Sequence, residues 1–343
     1  MALKILKSGI ADSVQDGGRF GFQNLGINPT GVSDIVAATI ANALIGNDTG
    51  AAILELHYPA STFQFTENTC IALSGADFCA CIDDLPVPLN TPLIVRQNAI
   101  LKFEKKSSWG CRCYLSAQGG FNVPEWLNSF STNTNAKAGG FCGRNLKKGD
   151  ELSIAFSYMS KDPLLLSCKL QADSNSKLKA QIAKHTILPW HTTPENFYRN
   201  RNIIRVVIGN EFEWLTSEYQ KLIGEMRFKI GIQSNRMGYR LESESLEVTE
   251  KKQLLSTSVT HGTIQLLPNG QLIILMADHQ TTGGYPRIAH VIAADIPTLA
   301  QKNSKEIIQF HFVSIEQAEE IYLKQQKYLN QMAMVCIEKF KER

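Results

Sequence analysis

Short apolar runs, separated by turn-forming residues, dominate the first 156 residues of the chain. Six of these runs occupy residues 53–56, 71–73, 93–95, 100–103, 111–115 and 152–156. Turn signals stand between them, for example around Gly75, Pro86 and Gly149. Many short strands at this spacing are typical of a β-barrel or a β-sandwich. Helical runs do not alternate with the strands, so the pattern argues against a doubly wound parallel sheet.

The second half of the chain returns to the same β pattern after about residue 200. Strands are predicted at residues 203–208, 228–230, 290–293 and 307–313, and a hairpin at residues 262–276. We therefore predict a mainly β protein with a first domain at residues 1–160, a connecting segment at 161–200, a second domain at 201–314 and a C-terminal helix at 315–343.

Two segments have the three- and four-residue apolar period of an amphipathic helix. The first, residues 34–45, follows Ser33, a favourable N-cap residue, and precedes Gly46, which is typical of a helix C-terminus. The second runs from residue 315 to residue 340, and it either docks on its own barrel, as we expect, or docks on a partner. A shorter helix is predicted at residues 211–222.

Length and charge exclude several classes of protein. With 343 residues the chain is long enough for two domains with sizeable cores. Lys and Arg number 35 and Asp and Glu number 32, and a net charge of +3 is too small to indicate nucleic acid or an anionic membrane as partner. No apolar run is long enough to span a membrane and the N-terminus lacks a signal-peptide core, so we expect a cytoplasmic protein.

Eight cysteines raise the question of disulfides or a metal site. Nothing in the sequence indicates an oxidising compartment, so disulfides are not expected. Cys79 with Cys81 and Cys111 with Cys113 lie in strand-like runs, and their spacing is shorter than zinc sites usually have. We interpret both pairs as buried, reduced thiols that point to one face of a strand.

The polar stretch at residues 278–287 follows the apolar run 272–277 and is the strongest candidate for a functional site. It reads Asp-His-Gln-Thr-Thr-Gly-Gly-Tyr-Pro-Arg, which places many donors and acceptors at the end of a rigid strand. Binding sites are commonly built in this way. The alternative is a polar hairpin loop whose side chains satisfy one another.

Two further motifs carry arginines beside glycines. In the stretch at residues 14–19, Arg19 either grips a carboxylate of a ligand or pairs with Asp16 across the turn. In the stretch at residues 234–241, Arg236 and Arg240 either bind an anion or pair with nearby acids such as Glu242 and Glu244.

These three motifs, in this order and spacing, resemble the biotin-dependent carboxyltransferase / allophanate hydrolase subunit 2 family. The resemblance covers about residues 5–315 and includes the segment Pro29-Thr30-Gly31-Val32-Ser33-Asp34. Asn235 stands where the family usually has Asp, which removes a charge beside Arg236 and is expected to loosen the pairing of that arginine.

The resemblance implies two tandem cyclophilin-like β-barrels, without prolyl isomerase activity. Within the family the chain looks most like members that form the C-type component of 5-oxoprolinase, which opens 5-oxo-L-proline to L-glutamate with ATP hydrolysis. Such a component is expected to be inactive alone, to bind the B subunit of 5-oxoprolinase directly and to work with the A subunit. ATP with Mg is expected at the level of the complex. Biotin is not expected on this chain, which has no Ala-Met-Lys-Met carrier motif.

The chemistry of that reaction suggests roles for the motif residues. A lactam carbonyl is a poor electrophile, so its activation by phosphorylation needs cations for phosphate and carboxylate and donors for the lactam oxygen. The expected catalytic residues are Asp16, Arg19, Arg236, Arg240, Gln280 and Arg287. The expected substrate-binding residues are Gln15, Asp278, Thr281, Thr282, Gly283, Gly284 and Tyr285. Asp16 and Asp278 are the residues expected to hold a metal or to orient water, although no metal is assigned to this chain.

Two other functions agree with the same resemblance. In the first alternative, the chain is a carboxyltransferase or allophanate hydrolase-type component of urea metabolism, and another protein supplies the biotin. Alternatively, it is a non-catalytic antagonist that neutralises a histidine kinase inhibitor similar to the B subunit. The last function predicts the same hetero-oligomeric complex but no turnover of substrate.

Overall fold

The described part of the chain covers most of both β-rich halves. A computed structural model describes residues 2–155, 185–198, 202–249 and 254–341. Most of the expected connecting segment, residues 161–200, and Cys168 lie outside these ranges. Within them, no helix combines the length and the apolar character needed to cross a membrane.

Two compact units divide the described residues, and neither is continuous along the chain. The first takes its residues from Met1–Gly18, Ile35–Pro194 and Tyr328–Arg343, and the second from Arg19–Asp34 and Glu195–Lys327. The linear division expected from the sequence had placed residues 19–34 with the first domain. They belong with the second unit because they bond to its loops, for example through the Gly31 carbonyl, which accepts from Arg236.

The first unit is built from two six-stranded sheets. Its strands β1 to β12 are Ala2–Lys7, Ser13–Gln15, Ile53–His57, Thr62–Phe65, Thr69–Gly75, Ala80–Ile82, Leu85–Pro86, Pro92–Val95, Ile100–Phe103, Arg112–Ala117, Glu151–Ser153 and His185–Ile187. The strand orders are β11-β1-β4-β9-β6-β7 and β12-β8-β5-β10-β3-β2. Each of the six runs predicted between residues 53 and 156 overlaps one of these strands.

Side chains from both sheets share one apolar core in the first unit. Leu3 and Ile5 of β1 belong to the same buried cluster as Leu54 and Leu56 of β3, which lies in the other sheet. The alternation of side chains along each strand explains why every second residue enters this core. The predicted helix at 34–45 is confirmed as α1, Ile35–Leu44, which packs on β5 and β10.

The second unit contains a closed seven-stranded barrel. Its strands β13 to β21 are Ile203–Ile208, Phe228–Ile230, Gly238–Glu242, Thr257–Ser258, Thr263–Leu266, Leu272–Leu275, Thr282–Gly283, Arg287–Val291 and Ile307–Phe312. The barrel order is β13-β20-β17-β18-β15-β14-β21, while β16 and β19 form a separate two-stranded sheet. Its helices are α2, Ser217–Leu222, α3, Ile296–Ala300, and the start of α4, Ile315–Lys341.

The barrel interior is filled by alternate residues of its strands. Ile264 and Leu266 of β17 and Ile274 of β18 belong to the buried apolar cluster, whereas Gln265 and Ile273 lie between them in sequence and point to the outer face. Each fully buried Leu or Ile contributes roughly 1.5–3 kcal/mol to folding. The mainly β fold with a closed barrel and a C-terminal helix is therefore confirmed.

Two local predictions were wrong in detail. Residues 211–222 do not form one helix, because a short 3-10 turn at Phe212–Trp214 and helix α2 are separated by Leu215, which bridges to Val248. Cys111 is only half-buried and precedes β10, and Cys79 is exposed rather than buried. It lies before β6 with a positive φ of 52°, in a turn where its amide donates to Asp77, so it does not share a strand face with Cys81.

Helix α4 confirms the predicted C-terminal helix and presents one buried face. Leu329, Ala333 and Cys336 are buried at four- and three-residue intervals. Gln325 donates to the carbonyl of Ala294 at 3.1 Å. The helix therefore docks on its own chain, which was the preferred of the two expectations.

The buried carboxyl of Asp12 predicts how the stability of the first unit depends on pH. Its oxygens accept from the amides of His57 at 2.8 Å and Ser61 at 2.6 Å, and burial raises the pKa of Asp12 from 3.8 to about 6. Between these values the folded state keeps a proton that the unfolded state has lost. The contribution of Asp12 to stability therefore falls as the pH rises from about 4 to about 6.

We predict that Asp12→Asn abolishes this pH-dependent decrease in stability. Relative to the wild type, the slope of the unfolding free energy against pH becomes more positive across this interval, by at most about 1.4 kcal/mol per pH unit. Urea denaturation at several pH values measures the slope, with the exposed Glu125→Gln as the control. Equal slopes in Asp12→Asn and the wild type would contradict the prediction.

Candidate functional site

The polar stretch at residues 278–287 connects two strands of the barrel, as the sequence predicted. It follows β18 and enters β20 at Arg287. The Asp278 amide donates to the Arg236 carbonyl at 2.8 Å, so the stretch is anchored to the motif at residues 234–241. Farther along, β19 pairs with β16 through Thr282 and Ser258. Backbone hydrogen bonds thus hold the loop near both ends.

The side chain of Arg236 joins three segments of the second unit. Its Nε and Nη2 donate to the two carboxylate oxygens of Asp278, each at 2.9 Å. Nη1 donates to the Ser33 hydroxyl at 2.9 Å, and Nη2 also donates to the Gly31 carbonyl at 2.7 Å. The Asn28 side chain donates to the Asp278 carbonyl at 3.0 Å. All three guanidinium nitrogens are therefore engaged inside the protein.

The alternative in which Arg236 and Arg240 pair with nearby acids such as Glu242 and Glu244 was wrong. Glu242 lies at the far end of β15, where its cross-strand neighbour is Lys229, and those two side chains pair at 3.0 Å. Arg236 precedes β15 and reaches Asp278 instead. Arg240 is exposed and makes no ion pair with any residue in the described ranges.

Arg287 also forms an ion pair within its own unit, with Glu211. Its Nε and Nη2 donate to Glu211 at 2.9 and 2.8 Å, and its backbone amide donates to the same carboxylate at 2.8 Å. These hydrogen bonds lower the pKa of Glu211. A Cβ on Gly209 would lie 2.2 Å from the Arg287 carbonyl, so only glycine allows the two backbones to approach this closely.

Four side chains form a row across the outer face of the barrel. Arg240 on β15 is the cross-strand neighbour of Ile273 on β18, which neighbours Gln265 on β17, which in turn neighbours Arg287 on β20. Adjacent strands are about 4.8 Å apart, so the row spans roughly 14 Å. Its inward-facing neighbours fill the barrel core, which fixes the direction of each side chain in the row.

Gln265 has an incomplete set of hydrogen bonds. Its side chain is 0% exposed, since the loop covers it, and a Cβ on Gly283 would lie 2.5 Å from its Nε2. Its Oε1 accepts from Gln280 Nε2 at 3.4 Å, whereas its own Nε2 has no partner among the described residues. A buried amide donor without a partner is unfavourable and is uncommon in folded proteins.

One cavity of the second unit lies at this row, and a second cavity adjoins it. A cavity of about 320 Å³ is lined by Arg240, Gln265, Leu267, Pro268, Asn269, Ile273, Gln280 and Tyr285. A cavity of about 750 Å³ shares Leu267, Pro268, Asn269 and Tyr285 with it. Its other lining residues are mainly apolar and include Trp214, Leu246, Val248 and Leu254. Among the lining residues of the smaller cavity Arg240 carries the one charge, so this cavity favours an anionic ligand over a cationic one.

The remaining residues of the loop contact the rest of the second unit mostly through their backbone atoms. The Thr281 carbonyl accepts from the Val259 amide at 3.1 Å, and Thr282 and Gly283 pair with β16. Gly284 packs against the Leu254 carbonyl, which a Cβ would approach to 3.2 Å. Tyr285 is 42% exposed.

Gln15 and Asp16 belong to the first unit and are bonded within it. The Gln15 side chain donates to Ser13 at 2.9 Å. Asp16 accepts from the hydroxyls of Ser129 and Ser131 and from the Phe130 amide. Both oxygens of Asp16 and both of Asp278 therefore hold donors of the protein itself, an arrangement suited to ordering loops rather than to binding a metal.

Arg19 is fully buried in the second unit. Its side chain donates to the Thr30 hydroxyl at 3.1 Å, and its amide donates to the Pro29 carbonyl at 2.7 Å. The guanidinium therefore tethers its segment to the loop at residues 29–34. A metal-type cluster does occur elsewhere in the described ranges, where ligand atoms of Cys81, Asp84 and Glu104 lie within 4.8 Å of one another in the first unit.

Sequence reasoning assigned no role to Gln265, Glu211, His279 or His290. His279 is buried, its Nδ1 lies 2.6 Å from the Gln280 carbonyl, and burial lowers its pKa. Burial, with help from nearby Arg287, also lowers the pKa of His290. His279 stood within the motif and was a visible candidate, whereas Gln265 carried no signal beyond one polar residue in an apolar strand.

Curated proteins of similar sequence include the C subunit of 5-oxoprolinase from two bacteria. The chain is 37% identical to the Escherichia coli protein over 331 residues, which are 96% of this chain and 97% of that protein. It is 34% identical to the Haemophilus influenzae protein, covering 95% and 96% of the two chains. Urea amidolyase of Saccharomyces cerevisiae is 28% identical over 92% of this chain but only 17% of that protein.

Solved structures of similar fold include a urea amidolyase and a urea carboxylase. Kluyveromyces lactis urea amidolyase matches with a TM-score of 0.81 and 27% identity over 96% of this chain. Urea carboxylase of the same organism matches with a TM-score of 0.80 and 26% identity over 96% of this chain. This chain spans 20% of the first structure's chain and 29% of the second.

The ion pair of Arg236 and Asp278 gives a direct test of how the site is held. The two side chains are 17% and 8% exposed, so removing one charge leaves the other buried without compensation. We predict that Asp278→Asn lowers the free energy of unfolding by roughly 3–5 kcal/mol.

Urea denaturation measures that loss. The matched control is Glu320→Gln, which breaks the exposed pair with Lys324 on α4 and is expected to change stability little. If Asp278→Asn and the control unfold at the same urea concentration, the ion pair does not hold the site together.

A family model completes the comparison. The model of the carboxyltransferase domain, subdomains A and B, matches residues 25–312, which include the motifs at residues 234–241 and 278–287. These motifs build the network and the row on the second unit described above. The chain belongs to the carboxyltransferase-domain family that comprises subdomains A and B.

Proposed function

We propose that this chain is the C-type component of an ATP-dependent 5-oxoprolinase, in which it binds the substrate together with the A and B subunits. The observation that carries the proposal is the match to two 5-oxoprolinase components over nearly the full length of both chains. The urea amidolyase of yeast, by contrast, is matched over 17% of its length. A cavity that favours a small anion on the second unit agrees with this function.

The reaction explains why a substrate-orienting component is needed. The lactam of 5-oxo-L-proline is a stabilised amide, so water does not add readily to its carbonyl carbon. Transfer of a phosphoryl group from ATP to the carbonyl oxygen makes that oxygen a leaving group. Water then adds to the carbon, the C–N bond breaks with protonation of the departing nitrogen, and the ring opens to an acyl phosphate. A second water molecule hydrolyses the acyl phosphate to give L-glutamate and inorganic phosphate. We assign ATP and Mg to the assembled enzyme, and this chain is assigned the orientation of the substrate.

The arginines divide into two groups in this proposal. Arg236 and Arg287 act as positioning residues, because their guanidinium groups are held by Asp278 and Glu211. Arg240 is available to bind the substrate carboxylate in a planar, two-point contact. Gln280 and Tyr285 line the same cavity and complete its polar surface.

We predict that Arg240→Ala raises the KM for 5-oxo-L-proline by about 10- to 100-fold in the assembled enzyme, since it removes a hydrogen bond between charged groups. The measurement is oxoproline-dependent ATP hydrolysis by this chain mixed with its cognate A and B subunits. The matched control is Arg227→Ala, an exposed arginine outside the cavity. A KM equal to that of the control would remove Arg240 from the site.

Reconstitution itself tests the proposed function. Turnover is expected only in the full mixture and only with 5-oxo-L-proline. If this chain binds the B subunit tightly and the full mixture shows no oxoproline-dependent hydrolysis, the proposal is overturned. That result would favour a regulator that neutralises a kinase inhibitor of the same type.

The structural matches favour a second candidate. Because the two Kluyveromyces lactis structures fit with TM-scores of 0.81 and 0.80, a carboxyltransferase component of urea metabolism is the alternative. It predicts urea-dependent carboxyl transfer when the chain is supplied with a separate biotinylated carrier protein. Oxoproline would have no effect on that activity.

A further inference from the structure

Gln265 is a feature of the second unit that packing alone does not explain. It occupies the outer face of β17, where its neighbours across the strands are Ile273 and Arg287. The side chain is completely buried, yet its Nε2 has no acceptor among the described residues. An apolar residue of the same shape would satisfy the packing without the penalty of a buried, unpaired donor.

The surroundings of Gln265 favour a specific kind of acceptor. Gln265 lines the 320 Å³ cavity, whose lining also offers the guanidinium of Arg240 and the amide of Gln280. Oε1 of Gln265 is already held by Gln280 at 3.4 Å, which leaves Nε2 as the free end. The cavity is therefore lined by a positive group and by the side chain that carries the unpaired donor, and Ile273 lies between them across the strands.

We propose that this cavity binds a small cyclic amide that carries a carboxylate, with the carboxylate on Arg240 and the ring carbonyl oxygen on Gln265 Nε2. The inference rests on the proposed function, and it assigns to Gln265 a role in recognising the lactam carbonyl. Arg240 and Gln265 lie two strands apart, roughly 10 Å between backbones, which leaves room for one small ring between their side chains.

Two-point binding of this kind sets the specificity of the site. A site built to donate to a carbonyl rejects ligands without that oxygen, because the buried donor then stays unpaired. 5-Oxo-L-proline has both groups, L-proline has only the carboxylate, and pyrrolidin-2-one has only the ring carbonyl. The wild type is therefore expected to bind 5-oxo-L-proline more tightly than either of the other two compounds.

The experiment measures binding of these three compounds to Gln265→Leu and to the wild type, both by the chain alone and within the complex with the A and B subunits. Leucine keeps the approximate shape and removes only the unpaired donor, so the variant is expected to be at least as stable in urea as the wild type. We expect affinity for 5-oxo-L-proline to fall about 10- to 100-fold, while affinity for L-proline is unchanged.

Arg240→Ala is the complementary variant. It is expected to lose the preference for 5-oxo-L-proline over pyrrolidin-2-one while keeping the preference for compounds with a ring carbonyl. A packing role for Gln265 would lower stability without changing the ratio of affinities between 5-oxo-L-proline and L-proline. That ratio therefore separates recognition from packing.

The outcomes for the two proposals are distinct. If the assembled enzyme hydrolyses 5-oxo-L-proline but Gln265→Leu has an unchanged KM, the role of Gln265 is overturned and the proposed function stands. If hydrolysis is absent while the chain still binds 5-oxo-L-proline with a Gln265-dependent preference, the proposed function fails and this inference stands. Absence of binding both by the chain alone and by the complex overturns the inference.

Discussion

The ion pair between Arg236 and Asp278 is the contact on which the loops of the second unit depend. The Arg236 guanidinium donates to Asp278 through two nitrogens and also donates to Ser33 and to the Gly31 carbonyl. Residues from three separate stretches of sequence therefore meet at this side chain. A buried charge is tolerated only when partners surround it, which makes the arrangement mutually dependent. The start of the polar loop is thereby fixed relative to the barrel.

Fixing some arginines leaves another available for a ligand. Arg236 and Arg287 each face a carboxylate of their own unit, whereas Arg240, on the same barrel, has no such partner in the described ranges. The difference follows from strand register. Glu242 is taken by Lys229 across β14 and β15, so the acid nearest to Arg240 in sequence is engaged elsewhere. In the proposed function, this register directs the substrate to Arg240.

Sequence patterns predicted the fold well because apolar alternation is a local property. The strands around residues 53–56 and 100–103, the helix at 34–45 and the C-terminal helix all followed from spacing alone. Cys79 departed from the pattern because a turn at Asp77 places it in a left-handed conformation, a tertiary detail that its apolar neighbours conceal. Periodicity also gave no sign that residues 19–34 join the second unit.

The site was predictable only in part. The motif at residues 278–287 was identified from the sequence. The sequence did not show which of its charged groups form ion pairs inside the protein, because that depends on strand register and on contacts between distant segments. Gln265 was invisible in sequence, because its importance arises from burial without a hydrogen-bond partner. A structure of the protein with 5-oxo-L-proline bound tests the account most directly. We predict the carboxylate on Arg240 and the ring oxygen on Gln265, whereas a carboxylate bound by Arg236 or Arg287 would contradict it.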